Sequence, residues 1–223
     1  MKRIVKDGAV RKRELLEIAF ELFQQHGYEK TSVNTIIERA GVSKGAFYHH
    51  FESKEEVLDA IVQQQVERVL NIAREVVYSK DLGALEKMRY LFARIQHYRV
   101  RHRERLFSIF RFYLHENNVL YRYKLEEYTI ERTLPMYVSM IEQGIGEGVF
   151  HTSSAEQAAE LILRVAPLYR MKMARCYEAR ARDPGYQEKI GEIALFLEET
   201  VTRVLGMREG TLNIAGSFIQ FFS

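Results

Sequence analysis

Lys44, Gly45, Tyr48 and His49 stand close together in the chain and have the residue types with which proteins read duplex nucleic acid. A cation answers phosphate charge. A residue without a side chain lets the backbone approach closely, and two flat rings with hydrogen-bonding tips suit base edges in a major groove. At i, i+4 spacing the four share one stripe of a helix, opposite an inward face of Phe47, His50 and Phe51. That chemistry is recognition and involves no bond making. Patterns for catalysis are missing from the sequence: the seven histidines form no H-x-x-x-H or Cys/His metal arrangement, and no G-x-S-x-G occurs. The glycines 144, 146 and 148 follow a helical pattern with no strand before them. They read as a helix end and not as a nucleotide loop. Neither an enzyme, a metal site nor a cofactor is expected.

The elements that must hold that stripe are equally local. Val33, Ile36, Ile37 and Ala40 have helical spacing, and only Gly41-Val42-Ser43 separates them from the pattern of Phe47, His50 and Phe51. Gly41 is suited to the left-handed end of the first of these helices, and the Ser43 hydroxyl to capping the second. The result is a helix-turn-helix. Before it, Leu15, Ile18, Ala19, Leu22 and Phe23 predict a helix over roughly residues 10 to 26, stopped by Gly27. Thr31 and Ser32 are expected to cap the second helix, and their hydroxyls at its amide-rich start are positioned for a DNA phosphate. After it, Ser53-Lys54-Glu55-Glu56 reads as a capping box opening a long helix that carries Val57, Leu58, Ile61, Val62, Val66, Leu70, Ala73 and Val77. No Gly/Ser linker follows, so head and body are expected to be mechanically joined.

The run from Thr31-Ser32 through Ile36, Ala40-Gly41-Val42-Ser43, Gly45, Phe47-Tyr48 and His50-Phe51 to Lys54 resembles the DNA-binding signature of the TetR family of bacterial regulators. It departs at Ile37, where the family usually has a small residue. The resemblance implies an all-α fold, with a three-helix helix-turn-helix domain joined to a larger helical ligand-binding and dimerisation domain. The domains are accordingly expected at residues 1–53 and 54–206, and residues 207–223 read from their composition as an apolar tail. The DNA-facing positions the resemblance implies are Thr31, Ser32, Val33, Ser43, Lys44, Gly45, Tyr48, His49, His50 and Lys54. It further implies a homodimer formed through the last two long helices.

Charge adds little beyond placement. The net charge is +3, and residues 1–60 balance at ten basic against ten acidic side chains. The basic run Lys2, Arg3, Lys6, Arg11, Lys12 and Arg13 suits either a phosphate backbone or solvent, and both readings stay open. With 47% hydrophobic and 28% charged residues the chain has the composition of an ordered soluble protein. No apolar run is long enough to cross a membrane, and the start lacks an apolar signal core, so a cytoplasmic protein is expected. The lone Cys176 is read as a small buried hydrophobe.

Further helices are predicted over residues 84–105, with a basic end (Arg94, His97, Arg99, Arg101, His102, Arg103, Arg105) read as a solvated face, and over 119–144 after a short aromatic helix. Ser153 and Ser154 are expected to cap a helix running to about 181, and Asp183-Pro184-Gly185 turns into another over Tyr186 to Leu205. Residues 98–137 hold nine aromatics, each most simply a core residue. Pro135 and Pro167 fall inside helical patterns and are expected to bend them and leave space. A cavity lined by His102, Phe110, Tyr113, Tyr137, Leu168, Tyr169, Arg170 and Met173 is the expectation for an apolar or amphipathic small-molecule effector, with Arg170 or His102 anchoring a polar end. The overall expectation is a transcriptional regulator, a repressor first, released from a palindromic double-stranded operator by that effector. The alternatives are an activator, or a helical adaptor whose helix-turn-helix contacts protein.

Overall fold

Runs whose apolar residues recur at helical intervals fold as helices throughout, and a computed structural model describes them for residues 8–222, apart from the side chain of Glu116. Lys2, Arg3 and Lys6 of the basic N-terminal run lie outside the described residues. In chain order the helices are α1 (Gly8–His26), α2 (Val33–Ala40), α3 (Lys44–Tyr48), α4 (Lys54–Val77), α5 (Ala84–Arg101), α6 (Arg103–Leu114), α7 (Val119–Gly146), α8 (Ala155–Glu178), α9 (Tyr186–Val204) and α10 (Ala215–Phe222). Among the described residues there is no strand, and the fold is all-α. No helix is long and apolar enough to cross a membrane.

Most element ends follow from local chemistry, and three depart from expectation. The predicted helix over 84–105 breaks at His102, whose ring nitrogen Nδ1 lies 2.8 Å from the Tyr98 carbonyl while its backbone leaves helical angles. The aromatic helix that follows is shifted toward the N-terminus: α6 begins directly after that break, at Arg103, and ends at Leu114. At α4 the Ser53 hydroxyl accepts from the Glu56 amide at 3.1 Å as expected, but the Glu56 carboxylate accepts from Glu52 at 2.6 Å instead of from Ser53. Ser154 caps α8 by accepting from the Gln157 amide at 3.3 Å. Pro135 and Pro167 both lie inside helices that continue past them.

The chain divides into two compact units. One contains the described residues up to Val66 together with Arg111–Leu125. Its core holds Leu15, Ala19, Phe23, Ile36, Phe47, Phe51, Leu58, Ile61 and Tyr121, all at most 2% exposed. Ile37, the larger residue at a position where a small one was expected, is buried as well. The returning segment is tied in by packing and polar bonds. Phe112 meets Phe20 edge-on with centroids 5.5 Å apart, and Asn118 accepts from the Tyr28 amide at 3.3 Å. The Tyr121 hydroxyl donates to Gln65, and Lys124 pairs with Glu55 at 2.9 Å and with Asp59 at 2.7 Å.

The second unit comprises Glu67–Phe110 and the described residues from Glu126 onward. Here α8 packs on α9, and α10 closes over α9 and α5. The apolar tail is therefore a buried part of this unit: Phe218, Phe221 and Phe222 are each at most 3% exposed. Glu198 of α9 fixes its start by accepting from the amides of Asn213, Ile214 and Ala215 at 3.1, 2.8 and 2.7 Å, where negative charge suits the positive helix end. Phe107 stacks face to face on Tyr177 at 4.4 Å and on Phe221 at 5.3 Å.

Of the glycines read as a helix end, Gly148 does take a positive φ of 70° after α7. Gly144 has a different cause. It lies inside α7, and a Cβ there would come 2.0 Å from the fully buried ring of Phe150, which folds back over it. Gly144→Ala should therefore lower unfolding stability by about 1–3 kcal/mol through overpacking, whereas in an open helix it would be stabilising. Denaturant titration followed by circular dichroism decides between them, and a stabilised variant would refute the packing account.

Candidate nucleic-acid interface

Five residues form α3, too few for a helix to persist without tertiary support. Its ends and its inward side supply that support. Gly41 closes α2 at φ 62°, ψ 35°, with its amide donating to the Glu38 carbonyl at 3.2 Å. Two residues on, the Ser43 hydroxyl accepts from the Ala46 amide at 3.2 Å. Phe47 is 0% exposed and packs beside Phe51, with centroids 5.9 Å apart. With Phe47 inside, helical geometry turns Lys44, Gly45, Tyr48 and His49 outward, and all four are exposed, Tyr48 at 54%.

Around this stripe the other expected positions separate into three kinds. Ser32 is exposed at the N-cap of α2, accepting from the Thr35 amide at 3.0 Å and sharing a 2.8 Å hydroxyl contact with Thr35. Val33 is half-buried and Ser43 exposed. His50 is half-buried against His49, with ring centroids 5.0 Å apart. Its pKa is lowered by burial, then by His49, Lys12 and Arg11, which favours the neutral ring. Lys54 keeps some exposure, but its ammonium donates to the Tyr28 carbonyl at 2.8 Å and sits 4.2 Å from the Tyr28 ring centroid, locking the start of α4 to the loop before α2.

Thr31 corrects the expectation. It is 2% exposed, and its hydroxyl donates to the Gly27 carbonyl at 2.9 Å, so it braces the α1–α2 loop and offers nothing to a phosphate. Thr35 takes its place as the second exposed hydroxyl at the start of α2. Its signal in the sequence was the i, i+3 spacing from Ser32. Arg39, Lys12 and Arg13 add exposed positive charge within this unit.

The residues expected to line an effector cavity do not all converge. Leu168 is 53% exposed, and Tyr169 stacks outward on Phe196 at 5.8 Å. Tyr113 is buried in the unit that holds the helix-turn-helix, where its carbonyl accepts from Arg122 at 2.9 Å. These three are corrections: on α8 the inward stripe runs through Ile162, Met173 and Ala174 instead. The His102 ring lies tilted against Tyr98 with centroids 4.4 Å apart, and Phe110 lies 6.2 Å from Phe221. Met173 is fully buried. Arg99, read from the sequence as part of a solvated face, is half-buried and within electrostatic reach of Tyr137 and Arg170.

Comparison with known proteins places this geometry in context. The family model described as "Bacterial regulatory proteins, tetR family" matches residues 15–61, which span α1 to the first turns of α4. The HTH-type transcriptional repressor KstR2 of Mycobacterium tuberculosis is 31% identical over 161 residues, covering 67% of this chain and 74% of that protein. Among solved structures, SmeT in complex with triclosan superposes with a TM-score of 0.63 at 17% identity, covering 91% of this chain and 94% of that one. FadR of Bacillus subtilis in complex with stearoyl-CoA gives a TM-score of 0.59 at 16% identity, covering 88% and 99%.

The opposed faces of α3 give a stability test. Phe47→Ala should destabilise the protein by about 3–5 kcal/mol, whereas Tyr48→Ala should change stability by less than about 0.5 kcal/mol. Comparable losses in the two variants, measured by chemical denaturation, would mean that the outward face has been misassigned.

Proposed function

The chain belongs to the TetR family of bacterial regulatory proteins and is a DNA-binding regulator of transcription, not an enzyme, and from that premise we propose that it is a repressor whose symmetric dimer leaves a palindromic operator when a small molecule fills the helical body. The observation that carries this reading is the outward stripe of α3, in which Lys44, Gly45, Tyr48 and His49 are all exposed over a buried Phe47. In a major groove, Lys44 and the hydroxyls of Ser32 and Thr35 reach phosphates. The missing side chain at Gly45 admits the backbone, and Tyr48 and His49 reach base edges. Lys54 acts through position, by setting where α4 starts.

Two-fold symmetry has a surface to form on. The α8–α9 pair leaves the large apolar side chains of Leu161, Leu168, Leu195 and Phe196 at 47, 53, 59 and 53% exposure. A second copy covers them isologously, each α8–α9 pair against its mate. Two α3 helices about 34 Å apart then meet successive major grooves of a palindrome. The structures of SmeT with triclosan and FadR with stearoyl-CoA support a small-molecule ligand for the body of this chain. Such a ligand shifts the dimer between DNA-competent and released forms only by its difference in affinity for the two; a hundredfold change needs about 2.7 kcal/mol.

With an operator selected from a random duplex pool, Lys44→Ala and Tyr48→Ala should each weaken binding by about 1–3 kcal/mol at unchanged thermal stability, and parent affinity should fall steeply with salt. Undiminished affinity in both variants would refute the assignment of the stripe. For the dimer, the double variant Leu168→Glu/Phe196→Glu should sediment as a folded monomer and lose operator binding. A dimer that persists in sedimentation velocity would place the interface elsewhere.

A further inference from the structure

Arg99 is a residue of the body whose surroundings leave a charge unmet. On α5 it follows Gln96 by one turn, on the face that carries Met88 and Phe92 into the core. Its side chain is half-buried. Among the described residues no carboxylate pairs with it. Within electrostatic reach of it are a second cation, Arg170 of α8, and the buried phenol of Tyr137 of α7. Desolvation, and then repulsion from Arg170, push the Arg99 guanidinium down to about 9. A cation so placed weakens the free protein unless an anion joins it.

Gln96 adds an independent sign. It is 2% exposed, and neither its amide nitrogen nor its oxygen has a hydrogen-bond partner. Orphaned polar atoms at that depth are costly, and a ligand is one means of satisfying them. The backbone nearby is loosened as well: Pro135 lies two residues before Tyr137, and Pro167 three before Arg170, each removing an amide from its helix. One turn beyond Tyr137 and Arg170, on the same helix faces, Met140 and Met173 are buried and apolar.

We propose that Arg99, Tyr137 and Arg170, with the Gln96 amide one turn away, form the head-group site for an anionic effector: a small molecule with a carboxylate or phosphate at one end and an apolar body lying toward Met140 and Met173. The inference deepens the effector reading above and rests on it. An anion between the two guanidiniums removes their repulsion, accepts from the Tyr137 hydroxyl, and draws α5, α7 and α8 toward a common centre. The ligand would thereby favour one helix arrangement over another, as release from an operator requires.

The test uses the full-length dimer with three probes of equal chain length below their micelle concentrations: dodecanoate, dodecyl phosphate and dodecanol. Calorimetric titration should show at least one of the anions binding about 10-fold or more tightly than the alcohol, the two anions separating a carboxylate site from a phosphate site. Arg99→Met should abolish that preference, and without any ligand it should melt at or above the parent temperature, by up to about 4 °C, because an uncompensated cation has been replaced by an apolar chain of similar length. Dodecanol binding as tightly as both anions, or an Arg99→Met protein that melts well below the parent or keeps the anion preference, overturns the proposal. If dodecanol binds equally well and releases the operator, the effector reading stands and only the anionic head falls. If probes bind the body and none changes operator affinity, it is the effector reading that fails.

Discussion

Burial of one ring, Phe47, decides what the N-terminal unit presents. A five-residue helix has almost no stability of its own, and its orientation is set by the side chain it sinks into the core and by the caps at its ends. Once Phe47 is inside, the outward direction of Lys44, Gly45, Tyr48 and His49 follows from the 3.6-residue period, with no further freedom. Gly41 and Ser43 add the second constraint: a left-handed residue followed two positions later by an N-cap leaves only one way for the chain to turn from α2 into α3. The outward face of α3 thus depends on the packing of an apolar residue that is not part of it.

Residues 111–125 come between two stretches of the body in sequence, yet pack with the helix-turn-helix unit through Phe112, Asn118, Tyr121 and Lys124. Helices α4, α6 and α7 each have residues in both units. Lys124, held by Glu55 and Asp59, is a partly exposed network whose contribution to stability is modest; its value is in fixing register.

In the body, polarity is placed where packing alone would not put it. The tail helix α10 is secured at its start by Glu198, whose carboxylate serves three amides and so is matched to the charge of the helix end. Arg99 and Gln96 differ, because nothing in the described chain matches them. One is a solved electrostatic problem and the other an open one, and the open one coincides with the expected ligand region at Tyr137 and Arg170.

Local chemistry in the sequence was sufficient for the all-α class, the turn at Gly41-Val42-Ser43, the caps at Ser32, Ser43 and Ser154 and the outward stripe of α3, because each depends on residues within about one helical turn of one another. Where a group's role depends on a neighbour distant in sequence, the reading failed. Thr31 and Ser32 are adjacent hydroxyls of equal promise, and only the approach of the Leu22–Gly27 carbonyls shows that Thr31 turns inward. Arg99 looked like one more residue of a solvated basic run, although Met88, Phe92, Gln96 and Arg99 share a face; whether that face meets water or α7 and α8 is decided by tertiary packing. The apolar tail was ambiguous for the same reason. Its burial required an acidic residue fifteen positions upstream and an aromatic stack at Phe107, and such long-range pairings leave no period in the sequence to read.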